Sequence, residues 1–130
     1  VVETDFHAKD AVIIADVELT KQALLNLVVN AIEAMPEGGT LRLETETKAT
    51  SNGSTDEVEI RISDTGKGIP EQLRDNIFKL YFTTKQRGSG IGLALTFRMV
   101  QLHGGKIDYV SAPGSGTTFS VRFPLPGTSR

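Results

Sequence analysis

Residues 57–64, Glu-Val-Glu-Ile-Arg-Ile-Ser-Asp, alternate between polar and apolar side chains up to Ser63. Period-two alternation belongs to a strand with one face buried and one face wet. Val58, Ile60 and Ile62 share the apolar side, with Glu59, Arg61 and Ser63 opposite. Such a strand cannot close a core alone; it needs neighbouring strands and a second layer over its apolar face. The alternation also runs one step too far. Asp64 has the parity of the three apolar residues, so its carboxylate points to the buried side at the strand's end. An unpaired charge there is costly, and something has to donate hydrogen bonds to it.

The covering layer is written as two helical patterns. Asp16 is an expected N-cap, and from Val17 onward Leu19, Ala23, Leu27, Ala31 and Met35 recur at i,i+4 beside Leu24, Val28 and Ile32. The breaker cluster Met35-Pro36-Glu37-Gly38-Gly39 stops this helix. A second amphipathic helix runs from Ile91 to about His103 and closes at Gly104-Gly105, and a short one is expected around Glu71–Lys79. Further strands are expected at Val1–Phe6, Ala11–Ala15, Thr40–Thr47, Lys106–Ser111 and Thr117–Pro124, the last two flanking the turn Ala112-Pro113-Gly114-Ser115-Gly116. The polar stretch Lys48–Asp56 reads as a hairpin loop. This order predicts an α/β sandwich: a mixed, largely antiparallel sheet with helices packed on one face.

A length of 130 residues without a repeat fits one domain, residues 1–130, able to bury a core without staples. The absence of Cys excludes disulfides, thiolate zinc sites and thiol nucleophiles. A net charge of −2 argues against a nucleic-acid partner held by broad phosphate neutralisation. Apolar runs such as Ala11–Ala15 are far short of the ~18 residues a membrane span needs, so no direct membrane contact is expected. The N-terminal Val1-Val2-Glu3-Thr4-Asp5 lacks a signal core and a starting Met. The expectation is a soluble, cytoplasmic module cut from a longer protein.

Three features fit packing alone poorly. Gln22, Asn26 and Asn30 lie four residues apart, forming a polar row on the first helix. The row is either a solvent edge or, because a solvent edge favours better helix formers than Asn, a pair of neutral oxygen ligands for a hard cation such as Mg²⁺. Asp64 opens Asp64-Thr65-Gly66-Lys67-Gly68. The donor to its carboxylate is either the turn that follows or a ligand amino group, which the glycines let approach closely. Gly88-Ser89-Gly90-Ile91-Gly92-Leu93 runs straight into the second helix. That segment is either a flexible hinge or a cradle whose free N–H groups bind phosphate, with Lys85 upstream reaching the same anion. It is not the dinucleotide fingerprint, and no P-loop occurs. Together the three describe a site for a magnesium nucleoside triphosphate.

The chain resembles the ATP-binding catalytic domain of bacterial sensor histidine kinases, of the Bergerat-fold superfamily shared with gyrase, the MutL repair protein and heat-shock chaperone ATPases. Leu25-Asn26-Leu27-Val28-Val29-Asn30-Ala31 is similar to the N box and Asp64-Thr65-Gly66-Lys67-Gly68-Ile69 to the G1 box. Ile77-Phe78-Lys79-Leu80-Tyr81-Phe82-Thr83-Thr84-Lys85 is similar to the F box, Gly88–Leu93 to the G2 box, and Gly116-Thr117-Thr118-Phe119 to the closing element. The resemblance implies Asn30 as main Mg²⁺ ligand with Asn26 assisting, and Asp64 as acceptor for the adenine amino group. Thr117 would support the adenine directly or through water. ATP contacts are further implied at Gly66, Gly68, Thr84, Lys85, Gly88, Ser89, Gly90, Ile91, Gly92 and Leu93. An ATP lid is implied from about 68 to 90, in which Phe78 and Phe82 either anchor to the core or dock a partner helix. Two departures are Glu33, where a Lys or Arg is frequent, and Leu80-Tyr81, where Pro-Phe is frequent.

Hydrolysing members of the superfamily carry Glu where Asn26 stands, and an amide cannot serve as general base for water. The resemblance therefore implies phosphoryl transfer to a His on a separate, upstream dimerisation domain, which in turn serves a response regulator. His7 and His103 lie in no acceptor-like motif, and His103 is expected to cap its helix. The alternatives are a Bergerat-fold ATPase fragment, an anti-sigma-factor serine kinase and a non-catalytic nucleotide sensor.

Overall fold

The computed structural model describes residues 1–7, 13, 15–49, 56–77 and 92–125. In chain order these form strand β1 (Val2–Phe6), helix α1 (Val17–Glu33), β2 (Leu41–Ala49), β3 (Asp56–Asp64), a 3₁₀ turn (Glu71–Asn76), α2 (Gly92–Leu102), β4 (Lys106–Ala112) and β5 (Gly116–Pro124). The strands make one sheet in the order β1-β2-β3-β5-β4. β1 runs parallel to β2, and every other pair is antiparallel. The α/β sandwich with a mixed, largely antiparallel sheet is thus the observed architecture.

The core lies between the sheet and the two helices. β3 contributes Val58 and Ile62, and β5 contributes Phe119, Val121 and Phe123 from alternate positions. The helices answer with Ala23, Leu27 and Ala31 from α1 and Met99 and Val100 from α2. Pairing sets Ile62 beside Phe119, Ile60 beside Val121 and Val58 beside Phe123, so matched apolar rows face the helices. Both ends of the helical layer are tied together. Asp16 caps α1 by accepting from the Leu19 N–H at 3.0 Å. Its own N–H donates to His103 Nε2 at 3.0 Å. Because Nε2 accepts there, Nδ1 carries the proton and donates to the Met99 carbonyl at 2.8 Å. His103 therefore both caps α2, as expected, and fastens it to the start of α1.

Several expectations are corrected. In the stretch 11–15, the described residues Ile13 and Ala15 are in no strand. The short helix expected at Glu71–Lys79 is a 3₁₀ turn over Glu71–Asn76, with residues 78 and 79 outside the described residues. The apolar stripe of α1 is narrower than its sequence pattern: Leu19 and Ile32 are 49% and 54% exposed, and Met35 lies beyond the helix end. Glu59 has the outward parity expected of it but is only 4% exposed. The long side chains of Lys48 and Arg61 cover it and pair with its carboxylate, so the open face of the sheet carries its own ionic layer.

Candidate ATP-binding site

Asp64 ends β3, opposite Leu41 of β2 and Thr117 of β5. Its carboxylate is 9% exposed and accepts the Gly66 N–H through Oδ1 at 2.9 Å. The turn after the strand is therefore one donor that the buried charge requires. Burial pushes the Asp64 carboxyl above the ordinary carboxylate range, while the Gly66 and Thr117 N–H groups pull it part of the way back.

Helix α1 passes directly over this turn. Ala34, its C-cap, accepts the Lys67 N–H at 3.1 Å. A Cβ on Gly66 would fall 2.2 Å from the Ala34 carbonyl oxygen, so glycine is what allows turn and helix to meet. Gly68 sits at φ +74°, and a Cβ there would fall 2.2 Å from the Ala112 carbonyl oxygen. These two glycines wedge the segment after Asp64 between α1 and the β4–β5 hairpin, where Gly114 N–H also holds the Lys67 carbonyl at 2.7 Å.

One to two turns back along α1 stand Asn30 and Asn26, both half-buried, while Gln22 is exposed. The polar row thus begins as a solvent edge and runs into the interior. Asn26 Nδ2 donates to the Gly92 carbonyl at 3.4 Å, at the start of α2. Thr96, fully buried, donates to the same carbonyl at 2.9 Å. Among the described residues no group of three or more His, Cys, Asp or Glu could hold a metal. A cation here would take neutral amide oxygens from α1 and its remaining ligands from phosphate and water, a donor set that suits Mg²⁺.

The structure therefore brings Asn26, Asn30, Gly66 and Gly92 to one helix, and Asp64 and Thr117 to one rung of the sheet. Leu93, half-buried, packs against the core from the first turn of α2. Thr84, Lys85, Gly88, Ser89, Gly90 and Ile91, with Phe78 and Phe82, lie outside the described residues. The beginning of the expected lid is described and is tied down. Ile69 N–H donates to Ser111 Oγ, the Arg74 guanidinium donates to the Ser111 carbonyl, and Ile77 is buried. Sequence reasoning passed over Ser111. Its signal was available in register, because a turn over 112–116 sets Ser111 opposite Thr117.

The fold defines a domain of the ATP-binding α/β-sandwich class. A family model described as histidine kinase-, DNA gyrase B- and HSP90-like ATPase matches residues 15–127, and the chain belongs to that family. It is similar to sporulation kinase A of Bacillus subtilis (strain 168), 37% identical across 91% of this chain and 19% of the relative. It is also similar to the signal transduction histidine-protein kinase AtoS of Escherichia coli (strain K12), 42% identical across 85% of this chain and 17% of that one. The chain thus spans about a fifth of these relatives. Among solved structures, the mycobacterial sensor histidine kinase MprB superposes with a TM-score of 0.80 at 27% identity, covering 95% of this chain and 84% of that one. No helix among the described residues is long and apolar enough to cross a membrane.

Proposed function

We propose that this chain holds Mg-ATP and passes the γ-phosphate to a His nitrogen on a separate dimerisation domain upstream in the parent protein, from which a response regulator is served. In this reading Asp64 accepts from the adenine amino group beside Thr117. Asn30, assisted by Asn26, binds the cation, which neutralises phosphate charge. The glycines from 88 to 92, with Thr84, Lys85 and Leu93, line the phosphate path in a lid spanning about 68–90 and at the helix start that follows it. Catalysis then consists of holding the γ-phosphate in line and offsetting its charge.

The observation that carries this reading is the contact of Asn26 with Gly92, which joins the amide row to the helix start where the glycine segment ends. It also favours transfer over hydrolysis: the α1 side chain that reaches that helix start is an amide, which cannot take a proton from water at neutral pH. The test is incubation with γ-labelled ATP, with and without the parent's acceptor domain. Label is expected only on the added domain, labile in acid and stable in base, as phosphohistidine is. Rapid phosphate release by the chain alone would support the ATPase alternative, and acid-stable label on a partner's Ser the serine-kinase one; either result overturns the proposal.

A further inference from the structure

Ser111 is the last but one residue of β4, and its hydroxyl is shared among three partners. It accepts the Ile69 N–H at 2.8 Å, lies 2.8 Å from the Thr117 hydroxyl and donates to the Gly116 carbonyl at 3.2 Å. A serine hydroxyl has one proton to give. The Ile69 N–H can only donate and the Gly116 carbonyl can only accept. With the Ser111 proton on Gly116, the Thr117 hydroxyl has to donate to Ser111. This arrangement makes all three bonds; reversing the Ser111–Thr117 bond leaves the one to Gly116 unmade. The Arg74 guanidinium on the Ser111 carbonyl holds the donor–acceptor chain in place.

The consequence falls on the rung that Thr117 shares with Asp64. Thr117 is 6% exposed, and with its proton committed to Ser111 it presents only lone pairs. Asp64, as a carboxylate, also presents only lone pairs. We propose that Ser111 is a positioning residue that keeps this end of the sheet acceptor-only, so that the site selects a purine with an amino group at its six-position over one with a carbonyl there. The inference rests on the reading in which Asp64 and Thr117 meet the base. A 6-oxo group faces two acceptors and has no donor to pair with at that position, while the N1–H that accompanies it can still donate to Asp64, so the discrimination rests on Thr117. Removal of the Ser111 hydroxyl frees the Thr117 proton to turn toward that carbonyl, which weakens the discrimination while leaving Asp64 in place.

The experiment is calorimetric titration of this chain with Mg-ATP and with Mg-ITP, whose bases differ at the six-position and at N1, an acceptor in adenine and an N–H in hypoxanthine; the informative quantity is the change in the affinity ratio among variants that all keep Asp64. The unsubstituted chain prefers ATP. Ser111→Ala lowers the ATP-to-ITP affinity ratio by up to about tenfold, the worth of one hydrogen bond. Ser111→Thr, which restores the hydroxyl, keeps the ratio. Ser111→Cys is close to isosteric but its sulfur is a weak acceptor, so it lowers the ratio without opening a cavity and serves where the Ala variant fails to fold. A purely structural role would weaken both nucleotides together; an unchanged ratio in folded Ala or Cys variants overturns the inference. An unchanged ATP affinity in folded Asp64→Asn would instead take the rung of Asp64 and Thr117 out of the base site.

Discussion

Asn26 on α1 donates its side-chain amide to the backbone carbonyl of Gly92, 66 residues later in the chain, at 3.4 Å. Gly92 lies in the first turn of α2, and its carbonyl also receives the Thr96 hydroxyl. That hydroxyl lies 3.4 Å from the Ala23 carbonyl of α1 as well, so two side chains stitch the helices together at this point. The chemistry of the contact orients the amide. A carbonyl partner requires the NH₂ group to face it, which leaves Asn26 Oδ1 as the oxygen not used in this contact.

That orientation separates the two asparagines experimentally. Asn26→Asp keeps an oxygen but sets a second acceptor against the Gly92 carbonyl, and the nucleotide-free chain should lose about 1–3 kcal/mol. Asn30→Ala exchanges a half-buried amide for a better helix former, so Mg-ATP affinity should drop by much more than stability changes. Urea unfolding paired with calorimetry checks both. Collapse of stability in Asn30→Ala with Mg-ATP affinity intact would make Asn30 structural.

Gly66→Ala tests whether the turn after Asp64 is seated on α1. The new Cβ would meet the Ala34 carbonyl oxygen at 2.2 Å, and that carbonyl is already held by the Lys67 N–H. Backbone cannot yield as a side chain can, so a loss of about 1–3 kcal/mol is expected. Nucleotide affinity should fall with it, since the Asp64 carboxylate takes a hydrogen bond from the same residue. A variant with native stability and native affinity would mean that the turn moves freely.

The open face of the sheet gives a contrasting expectation. Arg61 holds the buried Glu59 and also pairs with Glu44 and Glu46, which raises the guanidinium pKa further and lowers that of Glu46. Arg61→Ala leaves Glu59 with Lys48 at 3.2 Å as its remaining cation among the described residues and should cost about 1–3 kcal/mol. Replacing Glu59 and Arg61 together by Met should recover most of that loss, because no charge is then buried unpaired. ATP affinity should stay unchanged in both variants, since this face lies opposite the helices. A marked change in affinity would tie the ionic layer to the site.

Period and punctuation made most of this architecture legible beforehand. The alternation of 57–64 and the N-cap at Asp16 gave β3 and the start of α1 to within a residue, and strand parity alone placed Asp64 on the buried side. Alternation fails where a long ionic side chain does the covering. Glu59 reads as solvent-facing because nothing local says that Lys48 and Arg61 fold over it. Ile32 and Leu19 fail for the opposite reason, since a wide apolar stripe does not reveal how much of its width the sheet will take. Site chemistry divided in the same way. Asp64, Asn26 and Asn30 stand out because each is a poor choice for its local position. Ser111 is an ordinary strand-end residue by every local measure, and its role depends on the two strands being in register.

The raised pKa of Asp64 predicts opposite pH trends for stability and for binding. In the unfolded chain this carboxyl titrates in the ordinary range, and in the folded chain burial moves it higher. Between the two values the folded state binds more protons than the unfolded one, so stability falls as pH rises through that window. The contribution is complete below the unfolded pKa and lost above the folded one. Binding runs the other way, because an acceptor for the adenine amino group is fullest when the carboxylate is ionised; ATP affinity should fall as pH drops through the folded pKa. Other carboxylates titrate nearby, so the informative quantity is a difference between two proteins. Asp64→Asn retains an oxygen for the Gly66 N–H but has no charge to bury. Its stability relative to the unsubstituted chain should therefore improve as pH rises from about 3 to about 7, while its ATP affinity stays about 1–3 kcal/mol weaker at neutral pH. Urea unfolding of both proteins across that range, with calorimetry at each pH, measures the two trends. A stability difference that does not change with pH would show that Asp64 is not desolvated in the folded chain. An unchanged ATP affinity in folded Asp64→Asn would take Asp64 out of the site altogether.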